Sequence, residues 1–495
     1  MSQRARNYID GRWEWPDGCR AIESRNPADW REVVATAPDS PAPVVERAVA
    51  AARAAFPAWR RTPPPRRGQL VRQAGEILSR EKERLAHLIG HEMGKPLSEG
   101  RGDVQEAIDM AHLAAGEGRR LYGDTVPSEL PDKLCLTFRE PVGVCGLVTP
   151  WNFPTAIPAW KGFHALICGN TFVLKPAEDV PLCATEFVRC LEEAGFPPGV
   201  VNLVHGHGAL TGAALVSHPD VDLISFTGSS EVGAQIGATC ARTHTNVSLE
   251  MGGKNAQVVL ADADLTLALD GVLWGAFGTA GQRCTATSRL LLDRSVYDDF
   301  LQQLCDRAKN LRIGPGTDPA TELCPLVNEP QFRRVMEYVA AGTREGARLV
   351  IGGRRASGDG REHGWFVEPT IFDGVTPSMR IFREEIFGPV LSVTAIDSLD
   401  EAVRLVNDSP YGLSSCVYTQ DVNAALRAIR EIDAGIVYVN GPTIGAEVQL
   451  PFGGVKKTGN GHREAGRTGL DIFTEWKTVF IDYSGRLQRA QIDTD

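Results

Sequence analysis

A cysteine in the second half of the chain stands in a setting suited to nucleophilic chemistry. Cys284 lies in the stretch Phe277–Ala286, where small residues, several of them glycine, precede it and Thr285 follows it. Small neighbours leave room for a substrate carbonyl, and the adjacent guanidinium of Arg283 favours the thiolate, the reactive form of cysteine. Because a lone cysteine is more often a buried structural thiol, this stretch predicts a nucleophile only together with other motifs.

Two further motifs supply groups that a cysteine attacking an aldehyde needs. Glu250 ends an apolar strand, where desolvation raises a carboxyl pKa towards the range of a general base. Asn152, in the segment Thr149–Pro154, follows another strand and carries an amide that can donate to an oxyanion, an interaction worth about 3 kcal/mol in a transition state. The alternatives are a Glu bonded to backbone N–H groups and an Asn in a turn bracketed by prolines.

Residues typical of dinucleotide sites follow two other strands. Lys175 and Glu178 could hold the adenosine ribose, and a carboxylate there repels a 2′-phosphate, which favours NAD over NADP. In Ser225–Gly233 a strand leads through Gly228 to a helix that opens at Ser229, and a helix N-terminus favours phosphate. The alternative for Lys175 and Glu178 is a solvated ion pair.

A carboxylate pair inside the apolar segment Phe382–Val390 could contribute to the same site. Glu385 could hold the second ribose and Phe387 could pack beside a nicotinamide. Without further context, Glu384 and Glu385 are interpreted as surface charge.

Short apolar runs alternate with helical stretches from Pro141 onwards, which favours parallel, doubly wound sheets with ligands at the carboxyl ends of the strands. A second alternating region extends from about Leu265 to Ile444. The predicted strands are Val142–Val148, Thr171–Leu174, Val200–Val204, Leu223–Phe226, Ala286–Leu292, Leu349–Ile351, Leu391–Thr394 and Ile436–Val439.

The first part of the chain is predicted to be a hairpin at Asn7–Glu32 followed by helices. One helix starts at Ser40-Pro41, a second covers Gly68–Gly94 and a third covers Val104–Gly116.

Composition excludes several classes of protein. The 495 residues carry a net charge of −10 without a long basic block, so a nucleic-acid surface is not expected. Residues 1–11 show no signal-peptide pattern, and no apolar run is long enough to span a bilayer. The 11 cysteines are scattered singly and form no Cys-x-x-Cys pair, which argues against a zinc site and fits a reducing, cytoplasmic location.

Taken together, the motifs resemble the NAD(P)-dependent aldehyde dehydrogenase superfamily over nearly the whole chain, Tyr8 to Tyr483. The segments that carry this resemblance are Gly-Gln-Arg-Cys-Thr around Cys284, Leu-Glu-Met-Gly-Gly-Lys around Glu250, Pro-Trp-Asn-Phe-Pro around Asn152, Lys-Pro-Ala-Glu at Lys175, Glu-Glu-Ile-Phe-Gly-Pro-Val around Glu385, and Pro451–Lys456.

The resemblance implies roles for individual residues. Cys284 is the nucleophile, Glu250 the base and Asn152 an oxyanion donor, while Lys161 and Glu464 match a pair behind the base. The cofactor, NAD with NADP as the alternative, contacts Thr149, Pro150, Trp151, Lys175, Glu178, Gly228, Ser229, Glu385 and Phe387. The substrate contacts Phe153, Trp160, Arg283, Thr285 and Phe452, and no metal is required.

The resemblance also implies a division of the chain and an assembly. Residues 1–120 and 141–252 form a Rossmann-like cofactor domain and residues 253–450 a second α/β, catalytic domain. Residues 121–140 and 470–495 form a small β oligomerisation element. The C-terminal strand, if exposed at a sheet edge, needs a partner, which indicates a homodimer or homotetramer.

The expected reaction is oxidation of an aldehyde to a carboxylic acid through a thiohemiacetal and a thioester on Cys284. One alternative is a CoA-acylating enzyme, although Glu250 argues against it, and another is a catalytically silent protein. The motifs around Cys284 are similar to those of semialdehyde dehydrogenases acting on acid-tailed aldehydes such as 2-oxoglutarate semialdehyde. Arg283 could anchor such a tail or pair with a local carboxylate, and Glu447, if it points inward, counts against an anionic substrate.

The sequence alone also allows a second class of substrate, neutral aldehydes. Phe153, Trp160 and Phe452 could line an apolar tunnel for aliphatic or aromatic aldehydes in a broad-specificity enzyme.

Overall fold

Two seven-stranded sheets organise residues 3–492, the part of the chain that the computed structural model describes. The strands are β1 (Gln3–Arg4), β2 (Asn7–Ile9), β3 (Arg12–Glu14), β4 (Ala21–Arg25), β5 (Val33–Pro38), β6 (Thr125–Pro127), β7 (Lys133–Pro141), β8 (Val144–Val148), β9 (Thr171–Lys175), β10 (Val201–Leu203), β11 (Leu223–Thr227), β12 (Asn246–Glu250), β13 (Asn255–Val259), β14 (Thr287–Asp293), β15 (Arg348–Ile351), β16 (Thr370–Asp373), β17 (Val390–Ile396), β18 (Tyr411–Gly412), β19 (Ser414–Tyr418), β20 (Ile436–Val439), β21 (Val455–Lys456) and β22 (Thr474–Asp482). The helices are α1 (Ala42–Arg61), α2 (Pro64–Arg80), α3 (Lys82–Glu92), α4 (Leu97–Glu117), α5 (Ala156–Cys168), α6 (Pro181–Glu193), α7 (Ala213–Val216), α8 (Ser230–Thr243), α9 (Leu265–Phe277), α10 (Tyr297–Lys309), α11 (Glu329–Arg344), α12 (Arg380–Arg383), α13 (Leu399–Asn407), α14 (Val422–Glu431) and α15 (Gly469–Ile472). The predicted strands are all present within two residues of their expected bounds, and the α/β class is confirmed.

The first sheet has the order β12-β11-β8-β9-β10-β2-β3, and its five strands from β12 to β10 run parallel. The chain winds from β8 to β9 and β10 on one side and returns to β11 and β12 on the other. The carboxyl ends of β8 and β11 therefore meet at the point where the winding direction reverses, where open α/β sheets bind ligands.

The second sheet has the order β15-β16-β17-β14-β13-β19-β20, with only β15 antiparallel. Its parallel strands are buried except for the edge strand β20, and apolar runs such as Leu290–Leu292 meet Val393 and Val258 in one continuous core. Runs without alternation are typical of strands that are covered on both faces. The domain boundaries inferred from the resemblance stay predictions.

The helical prediction for the first part of the chain needs two corrections. The helix expected at Gly68–Gly94 is two helices, α2 and α3, because Glu81 leaves the helical conformation, with φ −89° and ψ 2°. The helix expected to begin at Val104 begins at Leu97, directly after Pro96, which cannot lie inside it. The polar residues of this extra turn concealed it, although Gly100 and Asp103 are buried.

A separate three-stranded sheet, β22-β7-β6, joins the predicted hairpin near residues 121–140 to the C-terminal strand. Strand β22 pairs with β7 from Thr474 to Asp482 and forms one edge of this sheet. Trp476, Phe480 and Ile481 on β22 are exposed. Residues 493–495 of the expected oligomerisation element, and residues 1 and 2 of the N-terminus, lie outside the described part.

Among residues 3–492, no helix combines the length and the apolar character needed to cross a membrane.

Candidate active site

The turn that carries Cys284 has an unusual backbone. Thr279 and Ala280 have φ angles of 49° and 53°, and Gly281 continues the left-handed path with φ 68°. Such conformations cost free energy in residues other than glycine and persist where surrounding groups enforce them. Here the carboxylate of Glu99, on α4, accepts hydrogen bonds from both the backbone N–H and the hydroxyl of Thr279.

The surroundings of the Cys284 thiol correct one expectation from the sequence. Burial, with a further contribution from Glu385 and Glu250, raises the pKa of Cys284 to about 12. The adjacent Arg283 lowers it, but this effect ranks below those of burial and of the two carboxylates, and the guanidinium itself forms an ion pair with Glu99. The thiolate is therefore not favoured at rest, and ionisation of Cys284 needs a base that accepts its proton.

Glu250 ends β12 and is suited to that role. Both of its carboxylate oxygens are buried, and neither has a hydrogen-bond partner among the described residues. Burial, reinforced by Glu464, raises the pKa of Glu250 well above its ordinary value, the direction expected from the sequence. A carboxylate with unoccupied oxygens and a raised pKa can take up and return a proton.

The ion pair between Lys161 and Glu464, predicted to lie behind the general base Glu250, is present. The ammonium of Lys161, on α5, forms a buried ion pair with Glu464 and donates to the Ser225 hydroxyl at 2.9 Å. Both charges lower the cost of burial for each other, and Lys161 opposes the rise in the pKa of Glu250. The structure thus brings Lys161, Glu464 and Glu250 together, as the resemblance implied.

Asn152 lies at the carboxyl end of β8 and is buried beside the nucleophile turn. Its Nδ2 donates to the backbone carbonyl of Gln282 at 3.1 Å, which fixes the amide plane and leaves the second N–H directed elsewhere. The carbonyl of Cys284 is held by Asn255 Nδ2 at 2.7 Å. These contacts give the turn and the Asn152 amide a fixed mutual position.

Cys284 lies on the wall of two neighbouring cavities. One cavity reaches the reversal point of the first sheet and is lined by Pro150, Trp151, Asn152, Ile157, Thr227, Gly228, Ser229, Met251, Gly252, Cys284, Gln331, Arg334, Glu385 and Phe387. Most residues predicted to contact the cofactor are therefore brought together here.

The polar groups of this first cavity suit a dinucleotide. The hydroxyl of Thr227 on the cavity wall and that of Thr149, directly before the lining residue Pro150, are buried and have no hydrogen-bond partner in the described part of the chain. Ser229 caps α8 through a bond from the Val232 N–H at 3.3 Å, so the helix N-terminus opens at the cavity and can receive phosphate.

The carboxylate expected at the nicotinamide ribose is also in place. Glu385 Oε1 accepts from the Gly253 N–H at 3.0 Å, and burial raises the pKa of this carboxyl. Any side chain at Gly252 would collide with the Glu385 carboxylate, so this close approach requires glycine. Phe387 packs edge-on against Trp151, with 5.4 Å between ring centroids.

Three predicted cofactor residues lie outside the lining of this cavity. Val148 pairs with Lys175 in the sheet, which sets Thr149 beside the end of β9. Lys175 is buried and its ammonium lies 3.2 Å from Glu178, whose side chain is 36% exposed. The ion pair proposed as the alternative is thus present, and a half-exposed Glu178 remains able to meet a ribose.

The second cavity lies on the other side of Cys284 and contains all five predicted substrate residues. Its lining is Glu106, Phe153, Ile157, Trp160, Thr227, Glu250, Met251, Arg283, Cys284, Thr285, Gly445, Ala446, Phe452 and Glu464. Trp160 and Phe452 pack edge-on at 5.2 Å and form an apolar wall. Glu447 is exposed and does not line the cavity, which removes the objection that it would repel an anionic substrate.

Arg283 both pairs with a carboxylate and reaches the cavity. Its Nη2 binds Glu99 and its Nε donates to the Thr279 hydroxyl at 3.1 Å, while Nη1 donates to no group within residues 3–492. The guanidinium carbon lies 5.3 Å from the ring centroid of Phe153. The two roles considered for Arg283, pairing with a local carboxylate and anchoring an acidic substrate tail, are therefore compatible, because the pair with Glu99 leaves N–H donors of Arg283 unused.

Sequence reasoning missed the carboxylates that α4 contributes. Glu99, Asp103 and Glu106 are spaced i, i+4, i+7 and so lie on one face of the helix. Apolar residues such as Val104 and Ala107 show that the same helix is largely buried. A row of acidic residues on a buried helix was the sequence pattern that could have identified these carboxylates as site residues.

The part of the chain that is described has no group of three or more His, Cys, Asp or Glu side chains arranged to hold a metal ion.

Comparison with known proteins agrees with this geometry. The sequence profile of the aldehyde dehydrogenase family matches residues 13–479. The chain is 41% identical to alpha-ketoglutaric semialdehyde dehydrogenase of Bacillus subtilis (strain 168), covering 96% of this chain and 97% of the relative. It is 40% identical to retinal dehydrogenase 2 of Homo sapiens, over 96% and 91% of the two chains.

A solved structure shows the same arrangement of the whole chain. Betaine aldehyde dehydrogenase from Staphylococcus aureus, in complex with NAD+, superposes with a TM-score of 0.95 at 36% identity, covering 98% of this chain and 96% of that one. The protein therefore belongs to the aldehyde dehydrogenase family and is an oxidoreductase of that class.

Proposed function

We propose that this enzyme oxidises an acid-tailed semialdehyde, of the type of 2-oxoglutarate semialdehyde, to the dicarboxylic acid with NAD+ through a thioester on Cys284. The observation that carries the proposal is the position of Cys284 on the shared wall of two cavities, one suited to a dinucleotide and one open to substrate.

The acylation step uses three of the residues described above. Glu250 takes the thiol proton, the Cys284 thiolate attacks the aldehyde carbon, and the oxyanion receives hydrogen bonds from the Asn152 amide and the Cys284 N–H. The dinucleotide, when bound, supplies the hydride acceptor, so collapse of the tetrahedral species leaves a thioester on Cys284.

Hydrolysis completes the reaction. Glu250 removes a proton from water as the water attacks the thioester carbonyl, and the acid and the Cys284 thiol are released. The Lys161–Glu464 pair stabilises the charge changes on Glu250 in a buried site. Because the base is present, water suffices as acyl acceptor, which disfavours the CoA-acylating alternative.

NAD is the proposed cofactor because the buried hydroxyls, the N-terminus of α8 and Glu385 fit a dinucleotide. A structural relative is a complex with NAD+. Glu178 disfavours an added 2′-phosphate, although its pairing with Lys175 reduces the repulsion, so NADP remains the second cofactor.

The substrate class rests on Arg283 and on one relative. The Nη1 group of Arg283 can donate to a carboxylate, and guanidinium is the side chain best matched to that group. The B. subtilis relative is named for a semialdehyde of this type. Neutral aldehydes are the competing class, since Phe153, Trp160 and Phe452 offer an apolar wall and another relative is named for retinal.

The experiment that tests the mechanism is rapid quenching of the Glu250→Gln variant with NAD+ and aldehyde, followed by peptide mass spectrometry. We expect an acyl group on the peptide that contains Cys284, and no acyl group in Cys284→Ala. Cys324→Ala is the control, since this buried thiol lies outside both cavities. Substantial turnover by Cys284→Ala would contradict the assignment.

Assembly and location belong to the same proposal. The exposed apolar residues of edge strand β22 support a homodimer or homotetramer. All 11 cysteines are free, and nine of them are buried, which supports a reducing, cytoplasmic location.

A further inference from the structure

One carboxylate in the substrate cavity has no role in the reaction described above. Glu106, on α4, lines the cavity together with Phe153 and Arg283. It forms no hydrogen bond or ion pair with any residue of the described part of the chain. An ionised Glu106 would repel the anionic tail of a semialdehyde, so its presence demands an explanation.

The cations that could neutralise Glu106 are already committed to other carboxylates. Lys95 donates to Asp103 at 2.8 Å in a fully buried ion pair, and Arg283 is paired with Glu99. The second oxygen of Asp103 accepts the Ala156 N–H at 2.7 Å. Lys95 is therefore paired with Asp103 and Arg283 with Glu99, which leaves Glu106 as the carboxyl on this face of α4 without a cation of its own among the described residues.

We propose that Glu106 determines substrate specificity by presenting a protonated carboxyl that donates a hydrogen bond to the polar tail of the substrate. The proposal rests on the proposed function, since it concerns the tail end of the same cavity. Arg283 supplies the charge that an anionic tail needs, and neutral Glu106 supplies a donor without repulsion.

The charges around Glu106 agree with this protonation state. Burial, followed by repulsion from Asp103, raises the pKa of Glu106 to about 8, against opposing contributions from Lys95 and Arg283. The charged or titratable groups around it are Lys95, Asp103, Arg283 and the more distant, exposed Asp109, together with Glu250, Cys284 and Glu464 in the lining of the same cavity. A carboxyl with such a pKa is mostly protonated at neutral pH and ionises in mildly alkaline solution.

The affinity for acid-tailed substrates should therefore depend on pH. Above the pKa of Glu106 the cavity gains a negative charge, so acid-tailed substrates should lose affinity while neutral ones should not. The ratio of the two kcat/KM values cancels the need for a Cys284 thiolate and a Glu250 base that both substrates share. Comparison with the Glu106→Gln variant then accounts for the repulsion that an ionised Glu250 adds for the acid-tailed substrate.

The experiment measures that ratio for 5-oxopentanoate and methyl 5-oxopentanoate between about pH 6.5 and about pH 9.5, a range that spans the ionisation of Glu106. In the wild type we expect the acid-to-ester ratio to fall by about tenfold or more. In Glu106→Gln, which keeps a neutral donor, the fall should be several-fold smaller, because only the charge on Glu250 still develops in the cavity. Asp109→Asn, which removes an exposed carboxylate from the same helix, should retain the fall.

Each other result has a distinct meaning. A flat ratio in the wild type, or the same fall in Glu106→Gln, overturns the role of Glu106 while leaving the substrate class intact. An ester preferred at every pH overturns the proposed substrate. A preference for 4-trimethylammoniobutanal that grows with pH and disappears in Glu106→Gln would show that Glu106 acts ionised and selects a cationic tail, which also overturns the proposal.

Discussion

Arg283, the residue directly before the nucleophile, is bound by Glu99 from a helix that is far away in sequence. The same carboxylate holds the Thr279 N–H and hydroxyl, so one side chain fixes both the left-handed turn and the direction of the guanidinium. Burial opposes ionisation of Glu99, but Arg283 and Thr279 outweigh it and keep the pKa of this carboxyl below its ordinary value. The orientation of Arg283 on the cavity wall is therefore a property of α4 as much as of the nucleophile turn.

Replacement of Glu99 by Ala should destabilise the protein and impair catalysis together. Removing one partner of a buried ion pair costs roughly 3–5 kcal/mol, because the other charge stays buried and unpaired. Chemical denaturation should show that loss, and kcat should fall as the turn relaxes. Glu83→Gln, which breaks an exposed pair with Arg101, is the control and should change neither quantity. Unchanged stability and kcat in Glu99→Ala would contradict this account of the turn.

Glu250→Gln should separate the two halves of the reaction. A slower burst of NADH should remain visible, because solvent can accept the Cys284 proton in place of Glu250 and one thioester per site still forms. Steady turnover should fall further, because hydrolysis also lacks its base. In the wild type, steady turnover should rise with pH, because the pKa of Glu250 is raised and the base form appears only as pH increases.

That pH-dependent rise should be absent in Glu250→Gln and retained in Glu76→Gln, an exposed carboxylate on α2. Stopped-flow absorbance across the pH range provides both readouts. Equal loss of burst and steady rate in Glu250→Gln would argue against its role as the hydrolytic base.

Glu178→Gln should shift cofactor preference towards NADP. Removing the carboxylate ends its repulsion of a 2′-phosphate and leaves Lys175, 3.2 Å away, able to attract that phosphate. We expect the ratio of kcat/KM for NAD to that for NADP to fall by about tenfold. Glu231→Gln, on the exposed first turn of α8, is the matched control. An unchanged ratio would mean that Glu178 does not face the ribose.

Charged residues on the edge strand should break the assembly. Phe480→Lys combined with Ile481→Lys places two charges on an exposed apolar strand, and an unpaired edge with lysines resists pairing with another chain. Light scattering should show a smaller species than for the wild type. An unchanged mass for this double variant would exclude β22 as an interface.

Features that depend on local residue patterns could be predicted from the sequence alone. Uninterrupted apolar runs such as Leu290–Leu292 indicated buried parallel strands. The ends of predicted strands placed Asn152 and Glu250 at carboxyl ends, and a strand–turn–helix motif placed Ser229 at the start of a helix. These residues line or adjoin the cavities because the two halves of a doubly wound sheet meet at those ends.

Features that depend on contacts between distant segments could not be predicted in this way. The pKa of Cys284 was expected to fall beside Arg283, and that expectation was wrong because burial, together with Glu385 and Glu250, outweighs the effect of the guanidinium. The role of Glu106 likewise depends on which cations other carboxylates occupy. Such pairings arise from tertiary packing of α4 against the nucleophile turn, which neighbouring residues in the sequence do not reveal.

The central claim is best tested by following NADH absorbance while the purified enzyme acts on pairs of aldehydes, each neutral member matched by its carboxylate-tailed analogue, with NAD and NADP in parallel. We predict turnover with NAD and a preference of tenfold or more for the acid-tailed members near neutral pH, equivalent to about 1.4 kcal/mol of differential binding. Preference for the neutral members would contradict Arg283 as the anchor, and no turnover with either cofactor would contradict the proposed reaction itself.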